Sequence, residues 1–247
     1  MGLFNKIFGQ TNKIELTNET QLQPQQNLTA CKTEQELIER YGGIAMDKQL
    51  NFGDFIGNNN WNINIANGEI SFGTDIILPM QVLGTISHSS QTWLWAWANT
   101  KSGLSENVIK QALHLKKYGE ENEIDLLRND TFDFTKEDLH LIGIIASGIH
   151  NSSGYYICDY GQGAMVVTIK SDEIDSLHKE DNHHRILTVF PQLISQFEMN
   201  HNFALTNYLI AKGYVISENG AKLIATKNGQ TINAEFDELS RLTKLNG

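Results

Sequence analysis

The chain has 247 residues and 27.8 kDa, 40% hydrophobic and 19% charged with only three prolines, which excludes a collagen-like, low-complexity or disordered protein and allows one large domain or two small ones. Its 29 acidic residues outnumber 19 basic ones, and the net charge of −10 is relieved by no cationic run denser than Lys116-Lys117. Phosphate backbones need clustered cations, so nucleic acid and anionic membranes are poor partners and a basic surface is a better one.

Leu3, Phe4, Ile7 and Phe8 share one side of a short amphipathic tip, ahead of a polar run that includes Gln21-Leu22-Gln23-Pro24-Gln25-Gln26. Residues 1–31 therefore read as a flexible segment with a sticky end, and a lone patch of this size binds a bilayer only marginally. Lys6 stands where a myristoylation signal needs Ser or Thr, so no stable membrane anchor is expected. Cys31, in that polar segment, and the distant Cys158 form no disulfide framework. No secretory leader opens the sequence, and the apolar stretch 141–149 is too short to span a bilayer, so the expected compartment is the cytoplasm.

Thr33 and Glu36 form a capping box that opens a helix running to about Leu50. Alternation then takes over: Trp61, Ile63 and Ile65 precede Asn67-Gly68, and Ile70 and Phe72 follow. A two-residue loop there pairs Ile65 with Ile70 and Ile63 with Phe72. A second strand pair, 80–87 and 92–99, is joined by His88-Ser89-Ser90-Gln91; a four-residue loop sets Trp95 opposite Gly84 and Trp93 opposite Ile86. Ser105 caps a helix ending at Gly119, and Thr135 with Asp138 opens another that is apolar on nearly every side. A hairpin turns at Gly161-Gln162-Gly163, before an acidic loop and helices broken near Pro191 and ended by Gly213. The last hairpin turns at Asn228-Gly229, pairing Ala225 with Ile232 and Leu223 with Ala234, and Asp237 starts a short terminal helix. Hairpins separated by helix pairs define an α+β fold with antiparallel sheet. Residues 32–247 read as a single domain, with two subdomains meeting near 120–135 as the alternative.

The most unusual segment is Thr92-Trp93-Leu94-Trp95-Ala96-Trp97-Ala98-Asn99. Three indoles on one face suit a stacking platform for a sugar-like or apolar ligand, or an interface. Leu94, Ala96 and Ala98 between them leave neither face polar, which favours a central strand covered on both sides. With Leu83-Gly84-Thr85 before it, the segment resembles the W-x-W-x-W-A-N hallmark of an uncharacterised bacterial family classed as a domain of unknown function. That resemblance implies a bacterial origin and a shared scaffold, and brings no catalytic residues.

His178, Asp181, His183 and His184 offer transition-metal ligands, but the spacing contains neither a helical i, i+4 His pair nor HExxH, so a solvated loop is the stronger reading and no cofactor is expected. His150, Cys158 and Asp159 supply the residue types of a cysteine hydrolase, though a strand cysteine is usually a small buried hydrophobe. The paired carboxylates Glu120-Glu121 and Asp172-Glu173 read as solvated charge. The leading expectation is a non-enzymatic binding protein that neutralises or docks a basic protein partner, or holds a small ligand in an aromatic pocket around Trp93, Trp95, Trp97 and Asn99. The alternative is a hydrolase built on His150, Cys158 and Asp159 or on the His178–His184 cluster.

Overall fold

A computed structural model describes residues 29–135, 138–177 and 183–247; the amphipathic tip of the first 28 residues lies outside them. Antiparallel strands and helices build the α+β fold that the hairpin spacing predicts. Helix α1 (Glu34–Ile56) starts where Thr33 accepts the Glu36 N–H at 3.1 Å, while the Glu36 carboxylate reaches back to the Lys32 N–H at 2.7 Å. It continues past Leu50 because Phe52 and Ile56 extend its buried face by one further i, i+4 step.

The larger sheet holds β1 (Trp61–Asn64), β2 (Glu69–Phe72), β3 (Ile76–Ser87), β4 (Thr92–Trp95), β5 (Thr131–Asp133), β6 (Gly154–Asp159) and β7 (Gly163–Ile169). The first hairpin departs from its expected register. Ile63 pairs with Ile70 and Trp61 with Phe72, so the loop has four residues, 65–68. Asn64 Oδ1 accepts the Asn67 N–H at 3.2 Å, and Gly68, at φ 68°, donates to the Ile65 carbonyl at 3.2 Å. The longer loop sets the largest ring of β1 opposite Phe72. A shift of two residues leaves every apolar strand residue on its original face and sends only Ile65 to solvent. The β3–β4 register is the expected one, Gly84 with Trp95 and Ile86 with Trp93.

A smaller sheet, in the order β11-β10-β9-β8, comprises β8 (Val215–Asn219), β9 (Lys222–Lys227), β10 (Gln230–Phe236) and β11 (Leu242–Asn246). Asn228 and Gly229, at φ 50° and 80°, form the expected two-residue turn, and Ala225–Ile232 and Leu223–Ala234 pair as predicted. Asp237 starts no helix. Its carboxylate accepts the Leu239 and Arg241 N–H groups at 2.9 and 2.8 Å, and Ser240 at φ 59° returns the chain as β11.

The remaining helices are α2 (Lys110–Asn122), α3 (Asp125–Arg128), α4 (Asp138–Ile149), α5 (Asp172–Leu177), α6 (His183–Gln196) and α7 (His201–Ala211). Ser105 heads only a 3-10 turn and its side chain makes no capping bond; α2 begins later. The expected acidic loop is helix α5, whose Asp172, Glu173 and Asp175 occupy its first turn, where the helix dipole favours negative charge. Pro191 lies inside α6 without ending it, because Val189, Phe190 and Leu193 bury that turn in the core. Gly213 ends α7 as expected, at φ 80°, with Tyr214 N–H bonded to the Leu209 carbonyl at 3.0 Å.

Helix α1 lies against α4, α6 and α7, and its buried Asp47 holds two of them. The carboxylate is 2.5 Å from Arg185 Nε and 2.6 Å from Lys212 Nζ, and it accepts the Tyr208 hydroxyl at 2.9 Å. Burial and the neighbouring Asp47 charge push the Tyr208 phenol far above its usual range. Cys31, expected in a mobile segment, is buried instead: its N–H donates to Tyr118 Oη at 2.8 Å. No helix among the described residues is long and apolar enough to cross a membrane.

Gly84 provides a stability test with an internal control. A Cβ there would lie 2.4 Å from a Trp93 ring carbon and 2.5 Å from the Leu94 carbonyl oxygen, whereas one on Gly53 in α1 meets nothing within 4 Å. Gly84→Ala should cost about 1–3 kcal/mol or more by overpacking. Gly53→Ala should stabilise by about 0.5–1 kcal/mol through helix propensity. Urea unfolding at constant slope measures both; equal midpoints for the two variants would contradict the close approach.

Candidate functional site

The tryptophan segment is a support before it is a surface. Strand β4 pairs with β3 on one side and β5 on the other, setting Trp93 between Ile86 and Phe132. Trp93 and Trp95 are both 0% exposed, with perpendicular rings and centroids 5.4 Å apart. A stacking platform on these two rings is therefore closed to ligand. After Trp95 the chain leaves the sheet: Ala98 and Asn99 return their N–H groups to the Trp95 carbonyl at 3.0 and 3.1 Å. Alternation predicts Trp97 on the same strand face as Trp93 and Trp95; because the strand ends at Trp95 it instead sits half-buried outside the sheet, with the Lys116 ammonium 4.3 Å above its ring. Asn99 is half-buried, and its carbonyl accepts the Ser102 hydroxyl at 2.7 Å.

Trp95 fastens residues 120–133 to this core. Its indole Nε1–H donates to the Leu126 carbonyl at 3.0 Å, and its backbone N–H donates to the Asp130 carbonyl at 3.1 Å. Helix α2 ends with Glu123 at φ 59°, and Ile124 returns its N–H to Gly119 at 3.0 Å. Gly119 itself touches the next helix, since a Cβ there would lie 2.6 Å from Leu127 Cβ. Ile124, Leu126 and Leu127 point into the core, while Glu120, Glu121, Glu123, Asp125, Asp130 and Asp133 are exposed. The result is a ribbon with an apolar underside and a carboxylate-lined outer side.

Three of those carboxylates have cations nearby: Lys116–Glu120 at 3.8 Å, Lys117–Glu121 at 3.7 Å and Arg128–Asp125 at 2.7 Å. Exposed pairs of this kind contribute about 0–1 kcal/mol and are screened by salt. Among the described residues Glu123, Asp130 and Asp133 have no ion-pair partner. Sequence reasoning dismissed Glu120-Glu121 as solvated charge; the missed signal was six acids within 14 residues whose apolar members are spaced to face the core. Across the chain, 20 of the 29 acidic and 10 of the 19 basic residues fall between 32 and 177, so this region carries the whole net charge of −10.

The cysteine constellation is not assembled. Cys158 on β6 is fully buried, and burial pushes its thiol up to about 12, so the thiolate is absent at neutral pH. Asp159, next along the strand, projects to the opposite face, where its carboxylate lies 3.8 Å from His88 and accepts the Gly161 N–H at 2.8 Å. His150 follows α4 and faces His114 on α2, with ring centroids 5.0 Å apart. Burial, helped by the His114 charge, lowers its pKa to about 4. Of the histidine cluster, His178 and Asp181 lie outside the described residues. His183 is buried with Nδ1 2.9 Å from Tyr214 Oη, and His184 is exposed. Among the described residues no three His, Cys, Asp or Glu side chains gather as a metal site.

Against known proteins, a family model described as a family of unknown function (DUF6882) matches residues 35–172, which include the tryptophan strand and the acidic ribbon. No curated protein and no solved structure matches the chain.

Two outcomes follow from this geometry. Trp95→Phe shrinks the ring and leaves the buried Leu126 carbonyl unpaired, at a cost of about 1–3 kcal/mol for the lost partner and more for the space left behind. Amide exchange should accelerate first across 124–133, and uniform acceleration over the whole chain would show that Trp95 does not anchor the ribbon. For His150, a folded pKa near 4, below the ordinary histidine value of 6.5, means that the unfolded state takes up its proton first as pH falls. Stability contributed above pH 6.5 is thus lost on acidification toward pH 4. His150→Gln should flatten the melting temperature between pH 6.5 and 5, a window above most carboxylate titrations; an unchanged slope would remove His150 as its cause.

Proposed function

We propose, for a chain that belongs to this family of unknown function, a non-enzymatic binding role in which the acidic ribbon 120–133 docks a basic surface on a protein partner. The observation that carries this reading is the ribbon's construction: six exposed carboxylates on a backbone tied to the buried Trp95 at Leu126 and Asp130. A fixed array of one charge sign steers a complementary surface into register and raises its on-rate, whereas a mobile acidic loop would lose that advantage to ordering entropy. The ribbon lies inside the family-matched segment, next to the strand whose W-x-W-x-W-A-N pattern is the chain's most distinctive motif. Burial of Trp93 and Trp95 disfavours the alternative of a small ligand in an aromatic pocket. A hydrolase on Cys158 would need a thiolate that its surroundings suppress.

The test compares the wild-type chain with a variant in which Glu120, Glu121, Asp130 and Asp133 become Gln, Gln, Asn and Asn. Partners are recovered from the organism that encodes the chain, and their affinity is measured at low and high ionic strength. A basic partner whose association rate falls steeply with salt and is lost in the variant is expected. A dominant partner that binds the variant equally well, or co-purifying nucleic acid, would overturn the reading.

A further inference from the structure

The amphipathic tip has no part in the docking surface, yet its sequence has a definite chemistry. Leu3, Phe4, Ile7 and Phe8 share one side at helical spacing, and the first 14 residues hold Lys6 and Lys13 but no acid, in a chain of net charge −10. A receptor for such a segment lies at the corner between α6 and α7. There a hollow of about 360 Å3 is lined by Ile194, Phe197 and Met199 together with Glu198, His201 and Arg241. The three apolar side chains pack against the core but are only half-buried. The corner is held firmly: His201 Nδ1 accepts the Leu242 N–H at 2.9 Å, and Arg241 Nε donates to Asp237 at 2.7 Å. Asp237 also accepts the Leu239 N–H, which fixes that leucine in the same turn as Arg241, at 71% the most exposed large apolar side chain among the described residues. Arg241 is thus committed to Asp237, whereas Glu198 is exposed and has no ion-pair partner among the described residues. The uncommitted charge at the hollow is negative.

We propose that the apolar side of the tip docks in this hollow on the same molecule, with Lys6 toward Glu198. The described chain begins close by. The Thr29 carbonyl accepts Arg40 Nη1 at 2.6 Å, and the adjacent Glu39 carboxylate accepts the Asn200 N–H at 2.7 Å, between Met199 and His201. Two neighbouring residues of α1 therefore bridge the entry of the chain and the hollow, and the segment 9–28 can span up to about 65 Å, far more than that gap. Phe4, Ile7 and Phe8 stand at i, i+3 and i+4, the anchor spacing with which an amphipathic segment lies in an apolar groove. Tethering raises the local concentration of the tip to the order of mM, so a patch that binds a bilayer only marginally suffices in its own molecule. The acidic ribbon attracts the same lysines but offers no apolar seat, because Ile124, Leu126 and Leu127 are buried beneath it.

Paramagnetic broadening in the full chain tests this. Cys31 and Cys158 are both buried, so Asn5→Cys, off the apolar side of the tip, takes a spin label selectively. The methyl signals of Ile194 and Met199 are expected to lose most of their intensity relative to the reduced label, and to regain it when Phe4→Ser and Phe8→Ser are added. Unchanged methyl shifts at the buried Val166 and Leu209 separate release of the tip from unfolding. Full intensity at Ile194 and Met199 in the labelled chain would overturn the proposal, as would broadening that survives the two serines. Broadening centred on 120–133 would put the tip on the ribbon and refute it equally. Equal broadening in isotope-labelled chain mixed with spin-labelled chain would show docking on a second copy instead. The reading of the ribbon as a docking surface is judged by salt-dependent partner binding and falls separately.

Discussion

Everything in the larger sheet depends on how closely β4 can approach β3, and that distance is set by the missing side chain at Gly84. Strand β3 pairs with β2 over its first residues and with β4 and β7 over its later ones, so one 12-residue strand organises both hairpins and the crossover. The Trp93 ring lies against Gly84, in space a Cβ would occupy. Its edge-to-face contact then places Trp95, and Trp95 reaches out to Leu126 and Asp130. A chain of rigid contacts thus runs from a glycine at the sheet centre to a charged ribbon at the surface. Packing at interior density has no slack with which to absorb a change at the start of that chain.

Charge is arranged on the same logic of fixed neighbours. Asp47 is buried between Arg185 and Lys212, so α1, α6 and α7 meet at a point where removing one partner leaves an uncompensated ion. Lys48 and Lys170 both reach the Asn151 carbonyl at the C-terminal end of α4 and both pair with Asp175. That helix end carries the negative pole of the dipole, which accounts for two cations sharing one carboxylate. Arg185, Lys212, Lys48 and Lys170 are therefore committed to carboxylates outside the acidic ribbon.

Legibility in the sequence followed how local each determinant was. The Asn228-Gly229 hairpin was readable because a two-residue loop with both φ values positive fixes its own register. Asn67-Gly68 looked the same and behaved differently, since the Asn64 side chain captured the turn and moved the loop outward. The Trp93–Ile86 register could be counted from a four-residue loop, but the exit of the chain after Trp95 could not, because it depends on β5 arriving from 36 or more residues later. Pro191 misled for a similar reason: burial from other elements outweighed one lost hydrogen bond. The Asp47 cluster joins residues over 130 positions apart, and pair spacing of that kind leaves no periodic trace.

The same distinction separates what could be foreseen about the site from what could not. Motif reasoning looks for reactive side chains at short spacing, and in this chain those residues, Cys158 and Asp159, point to opposite faces of a strand. The tryptophans, read as either ligand platform or core, turned out to connect the two: buried rings whose polar edge, Trp95 Nε1, holds an exposed segment in place. A buried aromatic that spends its one donor on a surface loop fixes that loop more tightly than apolar contact alone, because the bond is directional and leaving the carbonyl unpaired is costly. An acidic segment secured in this way keeps its charges at set spacing in the unbound state. That preorganisation is what the proposed docking role requires, since charges already at set spacing meet a complementary surface without a further ordering cost.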